Sequence, residues 1–209
     1  MPTQATRAPQ QDRSQKRVEQ ILDAARNVIV SKGQAQMTMS EIARTAGISM
    51  SSIYQYFPDK TAIIAALCKH YLDQNRATME AALTPPPANT AALLDRCLQM
   101  MQSYFDMHRR EPMLRHLWSS FTTDPALRAI DAQDSEDNID LIFAQSAHLF
   151  DPSVHPVVRH RVQVLFQMSI SAVEFALQHE DEVARAIVAE AQDVLRAAWS
   201  DRIETIGKA

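Results

Sequence analysis

The stretch TMSEIARTAGISMSSIYQYFPDK, from Thr38 to Lys60, decides the fold of this chain. It opens with a capping box, in which the Thr38 hydroxyl can accept from the amide three residues on while Glu41 reaches back. The helix that follows is short, because Gly47 can adopt the positive φ of a tight turn. Ser49 can cap a second helix, and Pro58 ends it, since the residue before a proline avoids the α region.

Two short helices joined by a tight turn, Thr38–Ala46 and Ser49–Phe57, match a helix-turn-helix. Apolar residues of both helices are expected inside, and Ala46 is small where the helices must approach each other. Short polar side chains at the start of the second helix suit a helix that lies close to base edges in DNA. The residues expected to face outward are Met50, Ser51, Ser52, Tyr54, Gln55 and Tyr56.

The same residues resemble the DNA-binding signature of the TetR/AcrR family of bacterial regulators, and the resemblance extends from about Lys16 to Leu72. Beyond it, only the helix count, the chain length and two long final helices agree. The family often has glycine where this chain has Ser51, which leaves the fold unaffected but can change the closest approach to the bases. The matching features are the Thr38 cap, the Ile42-Ala43 and Ala46-Gly47 pairs, the run Tyr54-Gln55-Tyr56-Phe57, and Lys60.

The resemblance implies that the second short helix reads the major groove of double-stranded DNA. Phosphate contacts fix the register of such a helix, and base contacts specify the sequence. The implied base contacts are Met50, Ser51, Ser52 and Gln55, behind the capping residue Ser49. The implied phosphate contacts are Thr38, Tyr54, Tyr56 and Lys60, with additional backbone or minor-groove contacts from Arg13, Lys16 and Arg17. The alternative is that Thr38 is only a cap and the tyrosines only surface aromatics.

The remaining sequence predicts an all-α chain of about nine helices. Glycine is rare, at three residues in 209, and apolar residues recur at helical spacing without strand-like alternation. We expect a flexible arm over residues 1–15, a three-helix helix-turn-helix domain over 16–60, and a helical ligand-binding and dimerisation domain over 61–209. The later helices are predicted at Asp59 to about Leu83, Thr90–His108, Glu111–Ser120, Asp124 to about Phe150, Pro156–His179 and Glu180–Ile203.

Charge is distributed unevenly along the chain. Residues 1–60 hold eight Lys and Arg against five Asp and Glu, a net +3, whereas the whole chain carries −4, which leaves −7 for the rest. A basic head on an acidic body lets the head approach phosphates while the body is repelled.

The sequence lacks the residues that several classes of function require. The cysteines, Cys68 and Cys97, lie in apolar runs and are predicted to be reduced core thiols. No metal site is predicted from the histidines, and no phosphate loop or nucleophile elbow occurs, so we expect no cofactor and no enzymatic activity. The sequence has neither a membrane-length apolar stretch nor a signal-like N-terminus, which predicts a cytoplasmic protein.

Two further sites are predicted in the region over 61–209. Adaptable and aromatic side chains suit a pocket for a small apolar or aromatic effector, although such residues also form plain core. The candidates are Met100, Met101, Tyr104, Phe105, His116, Trp118, Phe121, Phe143, Phe166, Met168 and Glu174. Apolar stripes on the last two helices predict a homodimer interface, unless they face the monomer's own core. Its candidates are Val158, Val162, Leu165, Phe175, Val183, Ile187, Ala191, Val194 and Ala198.

Together these features predict a dimeric transcriptional regulator, a repressor that a small-molecule effector releases from a palindromic operator. Effector binding would tilt the helix from Asp59 to about Leu83 and change the spacing of the two recognition helices. The alternatives are a helix-turn-helix activator and a helical adaptor that binds protein.

Overall fold

The computed structural model describes residues 8–111, 113–114, 117, 121 and 124–206, and within those ranges the side chains of residues 12–199. The prediction of an all-α chain is confirmed, since no strand occurs in these ranges. Short 3-10 turns lie at Gln34–Gln36, Ala147–Leu149 and Pro152–Val154. The helices are α1 (Ala8–Lys32), α2 (Met39–Ala46), α3 (Met50–Tyr54), α4 (Lys60–Ala82), α5 (Thr90–Arg110), α6 (Pro125–Ser146), α7 (His155–Ala176) and α8 (Asp181–Ile206).

The chain divides into two compact units. The first comprises Met1–Tyr71 together with Pro112–Arg128, and the second comprises Leu72–Glu111 together with Ala129–Ala209. The division therefore falls within α4, after Tyr71, rather than at the residue-60 boundary expected from the sequence. The physical reason is that the first turns of α4 carry buried apolar side chains and so belong to a core: Ile63, Ile64, Leu67 and Cys68.

The first helix begins earlier than the sequence predicted. A flexible arm was expected up to residue 15, but α1 starts at Ala8. Polar composition suggested disorder, yet residues 8–17 contain neither glycine nor a β-branched residue, and Pro9 is compatible with a first helical turn. Residues 1–7 of the expected arm lie outside the described residues.

In the first unit, α1 packs against α2. The buried face of α1 repeats at three and four residues, as the sequence pattern predicted. A side-chain hydrogen bond adds to this packing, because Gln20 Nε2 donates to the Ala46 carbonyl at 2.7 Å in the last turn of α2. The buried residues of α1 are Ile21, Ala24, Ala25, Val28 and Ile29.

The turn between α2 and α3 has the geometry of a Schellman motif. Gly47 is left-handed, with φ 67° and ψ 34°. Its amide donates to the Arg44 carbonyl at 3.3 Å, and the Ile48 amide donates to the Ala43 carbonyl at 3.1 Å. These two bonds satisfy carbonyls that the end of α2 would otherwise leave unpaired.

The second short helix is shorter than predicted. We expected it to reach Phe57, but α3 ends at Tyr54. Beyond it the backbone forms a turn, in which the amides of Tyr56 and Phe57 both donate to the Ile53 carbonyl at 2.9 Å. Pro58 explains the early end, because it offers no amide and restricts the residue before it.

In the second unit, α5 packs against α7 and α8, which also pack against each other. Two groups of buried residues form its core. One group holds Met79, Leu83, Leu93, Ile139, Ile142, Val158, Val162 and Trp199. The other holds Leu98, Met101, Phe105, Val173, Ala176, Ala184, Val188 and Leu195.

The predicted helix Glu111–Ser120 lies mostly outside the described residues. Met113, Leu114 and Leu117 within it are helical and buried, and all three belong to the first unit.

The left-handed turn gives a test of the fold. We expect Gly47→Ala to reduce the free energy of unfolding by about 1 kcal/mol, because an L side chain disfavours this backbone region. No atom lies within 4 Å of a Cβ built at Gly47, so the loss comes from the backbone and not from a clash. Urea titration followed by circular dichroism measures it. Gly47→Asn is the control and should lose less, since asparagine tolerates the left-handed region; equal stability of Gly47→Ala and the unaltered protein would contradict the assignment.

Candidate nucleic-acid interface

The helix-turn-helix begins with the threonine cap that the sequence predicted. Thr38 has an extended backbone, and its Oγ1 accepts from the Glu41 amide at 3.3 Å. The Glu41 carboxylate accepts from Lys32 Nζ, and the reciprocal hydrogen bond of the capping box, from the Thr38 amide to Glu41, does not form among the described residues. A charged donor at the end of α1 offers the carboxylate a stronger partner than a backbone amide. Thr38 itself is exposed, so its hydroxyl lies at the surface.

The start of α3 is capped by serine, also as predicted. Ser49 Oγ accepts from the Ser52 amide at 3.2 Å and lies 2.9 Å from Ser51 Oγ. The Ser49 hydroxyl therefore orders the first turn of the helix. Both Ser49 and Ser51 are exposed, so their hydroxyl groups can form further hydrogen bonds at the surface.

The side chains of α3 and the turn after it separate into an inner and an outer set. Ile53 is fully buried and Phe57 is 7% exposed. Tyr54 lies between them in sequence but is 53% exposed. The buried and exposed side chains alternate with helical spacing, so the polar side chains form one surface and the apolar side chains pack beneath it. Ser51, Tyr54 and Gln55 are exposed, whereas Met50, Ser52 and Tyr56 are half-buried.

The helix that follows this surface along the chain is α4. Asp59 Oδ1 accepts from the Ala62 amide at 2.8 Å and so caps α4. Lys60, the first residue of α4, is exposed. The cap thus fixes the backbone position from which the Lys60 side chain extends to the surface.

The arm residues with described side chains also lie at the surface. Arg13 and Lys16 are exposed, and Arg17 Nη1 donates to Gln20 Oε1 at 2.9 Å. Because Gln20 also bonds to Ala46 at the end of α2, the Arg17 guanidinium is tied to the helix-turn-helix through one intermediate side chain.

Four of the predicted effector residues line a cavity of about 90 Å³ in the second unit. These are Met100, Met101, Tyr104 and Phe166. The sequence reasoning missed Trp199, Asn75 and Ser169, which also line the cavity. Trp199 follows the buried Leu195 by four residues, and this helical spacing could have identified it.

The other predicted effector residues lie elsewhere. Phe105 is fully buried in core, Phe143 packs its ring edge-to-face on His155 at 5.4 Å, and Phe121 is buried in the first unit. Met168 is exposed on α7, and Glu174 is half-buried. His116 and Trp118 lie outside the described residues.

The predicted dimer residues divide between core and surface. Val158 and Val162 are buried in the unit's own core, and Leu165 is half-buried beside the cavity. The remaining six are exposed or half-buried, and four of them line an open groove on α7 and α8 together with Met168 and Ala172. Those four are Val183, Ile187, Ala191 and Val194.

No group of three potential metal ligands is found in the part of the chain that the structure describes. Within the same residues, no helix is both long and apolar enough to cross a membrane.

Comparison with known proteins identifies two matching families. Residues 21–67 match the family described as bacterial regulatory proteins, tetR family. Residues 90–203, more than half of the chain, match the family described as tetracyclin repressor-like, C-terminal domain.

Individual relatives match over smaller parts. The chain is 29% identical over 83 residues to the nucleoid occlusion factor SlmA of Haemophilus influenzae, which is 40% of this chain and 36% of that protein. It is 42% identical over 69 residues to the HTH-type transcriptional regulator BetI of Rhizobium meliloti, which is 31% of this chain and 34% of that protein. The matches thus span about a third of the length of these curated relatives.

A solved structure matches nearly the whole fold. The complex of SmeT with triclosan has a TM-score of 0.66 and 17% sequence identity, and the match covers 88% of this chain and 91% of that one. SmeT is described as the repressor of a multidrug efflux pump of Stenotrophomonas maltophilia. The two family matches, which follow one another along the chain as a helix-turn-helix part and a helical C-terminal part, show that this protein belongs to the TetR family of bacterial regulatory proteins.

Proposed function

We propose that this protein is a dimeric transcriptional repressor that docks α3 in the major groove of an operator and releases it when a small molecule binds. The observation that carries the proposal is the polar surface of α3 and the turn after it, where Ser51, Tyr54 and Gln55 are exposed while Ile53 is buried. A short helix with a polar outer face, fixed by a capped start and an apolar base, is suited to docking against base edges.

The contacts are proposed to divide by chemistry. Gln55 can donate to and accept from an adenine edge, and the serine hydroxyls at positions 51 and 52 can bond to either kind of base, with Met50 as an apolar neighbour. Thr38, Tyr54, Tyr56 and Lys60 offer hydroxyl and ammonium donors for phosphate oxygens.

A homodimer is proposed because one helix-turn-helix reads only a few base pairs. Two copies on a palindrome place the recognition helices about 34 Å apart, or a multiple of that distance. The groove on α7 and α8 supports this proposal, since Val183 and Val194, which line it, are 49% and 48% exposed. Contiguous exposed apolar side chains of this kind are uncommon on monomers.

The cavity in the second unit is proposed as the effector site. Its wall is mainly apolar, as is usual for small-molecule sites. SmeT, which shares the fold, has been solved with triclosan bound. We propose that α4 couples the sites, because this one continuous helix carries Lys60 in the first unit and the wall residues Asn75 and Met79 in the second. An effector with different affinities for two conformers would shift their populations.

Operator selection tests the proposal directly. The full-length protein is incubated with a random-sequence duplex library, and bound DNA is sequenced. We expect an inverted repeat, because two identical recognition helices read the two halves. Recovery of no preferred sequence would contradict a sequence-specific regulator.

Substitutions in the interface should separate affinity from specificity. Tyr54→Ala and Lys60→Ala are expected to weaken binding to all duplexes by similar factors, because phosphate contacts carry no sequence information. Gln55→Ala should cost about 1–3 kcal/mol mainly against the preferred base. Fluorescence anisotropy on the selected operator and on single-base variants measures both effects. Lys69→Ala, an exposed lysine later on α4, is the control; unchanged affinity in all three test variants would overturn the interface.

Salt dependence should distinguish DNA docking from binding to a protein partner. The logarithm of the operator association constant is expected to fall linearly with the logarithm of salt concentration. Lys60→Ala should reduce the magnitude of that slope by about 0.9 for each protomer, the contribution of one phosphate contact. A slope unaffected by Lys60→Ala would remove this residue from the phosphate contacts.

The groove gives a test of the oligomeric state. Sedimentation equilibrium at micromolar concentration should give a dimer mass for the unaltered protein and a smaller average mass for Val194→Glu, because a buried unpaired carboxylate opposes association. Val30→Glu, at a residue 64% exposed in the first unit, is the matched control and should remain dimeric. A monomeric unaltered protein, or a fully dimeric Val194→Glu, would contradict the proposed interface.

A further inference from the structure

The cavity of the second unit has a mainly apolar wall with few polar groups. The wall is built by residues of α4, α5, α6, α7 and α8, all within one compact unit. None of the described wall residues is Lys, Arg, His, Asp or Glu. Which ligands bind therefore depends on the polar or ionisable side chains among them, which are Asn75, Cys97, Tyr104, Ser169 and Trp199.

The two ionisable groups of the wall are neutral at pH 7. Burial raises the pKa of the Cys97 thiol to about 12. Burial, and then the carboxylates of Glu174, Asp131 and Asp134, raise the pKa of the Tyr104 hydroxyl well above its ordinary value. The same carboxylates disfavour an anion, or the lone pairs of an acceptor, in the surroundings of Tyr104.

Two polar groups of the wall offer no donor to a ligand. The indole nitrogen of Trp199 is fully buried and so does not face the cavity. Ser169 Oγ donates to the Leu165 carbonyl at 2.8 Å, so its proton is used within α7. A ligand that needs a donor therefore finds none in these two side chains.

Asn75 differs from the other polar groups in its position on α4. Met79 and Leu83, four and eight residues further along the helix, are buried, whereas Gln74 and Thr78 are exposed. Residues four positions apart lie on the same face of a helix. The Asn75 side chain thus lies on the inner face of α4, where Asn75 and Met79 both line the cavity.

The carboxamide of Asn75 is only partly used by the protein. Its Nδ2 donates to Met79 Sδ at 3.7 Å, and a thioether sulfur is a weak acceptor. Its oxygen accepts no hydrogen bond among the described residues, yet it is not one of their fully buried atoms without a partner. This acceptor therefore keeps accessible surface on a half-buried residue of the cavity wall.

Stability alone does not favour asparagine at this position. Asparagine is a poorer helix former than leucine, and Asn75 lies inside a helix of 23 residues. A carboxamide that loses water without gaining a full set of hydrogen bonds also costs free energy. Positions that break a local rule in this way are expected at functional sites.

We infer that the ligand of this cavity is a small, uncharged, mainly apolar molecule with one hydrogen-bond donor, such as a hydroxyl group, that donates to the carboxamide oxygen of Asn75. The inference rests on the proposed function only in taking the cavity as the effector site. A hydrocarbon would fill the apolar space but leave that oxygen unbonded. An ion would lose its hydration in a wall that supplies no counter-charge.

Four probes of matched size test the inference on the full-length protein without DNA. Cyclopentanol carries a hydroxyl, cyclopentanone has only an acceptor, methylcyclopentane has neither, and cyclopentylammonium carries a charge. An apolar cavity of about 150 Å³ takes up benzene, and methionine side chains adapt to the shape of a ligand, so about six heavy atoms is a suitable size. NMR titration of the methionine methyl signals gives the dissociation constants, because Met79, Met100 and Met101 line the cavity.

We expect the unaltered protein to bind cyclopentanol about 3–10-fold more tightly than cyclopentanone, the effect of one neutral hydrogen bond. Cyclopentylammonium should bind at least about tenfold more weakly than the alcohol, because the wall does not replace its hydration. The side-chain carbonyl carbon of Asn75 should move downfield with cyclopentanol and not with methylcyclopentane. These measurements do not depend on whether a variant folds.

The variant Asn75→Leu keeps a side chain of similar size and removes the carboxamide. We expect it to weaken cyclopentanol binding by about 3–10-fold and to leave methylcyclopentane within about twofold. Gln74→Leu, which exchanges a carboxamide for leucine on the exposed face of the same helix, is the matched control. It should leave the binding of both probes within about twofold.

The outcomes separate this inference from the proposed function. Equal binding of alcohol and ketone without a carbonyl shift, a preference for the ammonium probe, or equal weakening of alcohol and hydrocarbon in Asn75→Leu overturns the inference alone. Binding with the expected preference but without release of the operator supports the inference and contradicts effector-controlled repression. If none of the four probes binds, both the inference and the effector site fail, while operator selection still decides whether the protein binds DNA.

Discussion

The left-handed backbone of Gly47 is the constraint on which the polar surface of α3 depends. It lets the amides of Gly47 and Ile48 donate to the Arg44 and Ala43 carbonyls, so two carbonyls at the end of α2 are paired. It also directs the chain into the Ser49 cap within two residues. The direction of α3 follows from that turn. Ile53 then lies in the core, and the polar side chains beside it in sequence lie at the surface.

In the second unit, α7 shows how one helix can serve two surfaces. Val162 and Phe166 belong to the cavity wall, whereas Met168 and Ala172 line the open groove. Residues that differ by three or four positions lie on the same face of a helix, and those that differ by two do not. The apolar residues of α7 therefore divide between two faces of the helix, one that lines the cavity and one that lines the groove.

The helix-turn-helix could be predicted from the sequence because its determinants are local. Thr38, Gly47 and Ser49 each form hydrogen bonds with residues only a few positions away. A cap or a turn of this kind can therefore be predicted from a short stretch of sequence. The cavity depends on which stripes meet across five helices, and apolar composition alone did not distinguish Phe105, which is core, from Phe166, which lines the cavity. The early start of α1 was missed because its first residues are polar, although polar residues can be good helix formers.

The separation of inner and outer side chains on α3 has a consequence for how such a protein can change over generations. Ser51 and Gln55 are exposed, and surface substitutions away from special backbone positions usually alter stability by no more than about 0.5 kcal/mol. Descendants of this gene can therefore acquire new residues at these two positions while the buried Ile53 holds the scaffold unchanged. If these two positions contact bases as proposed, duplicated copies can diverge toward different target sites while the fold is retained.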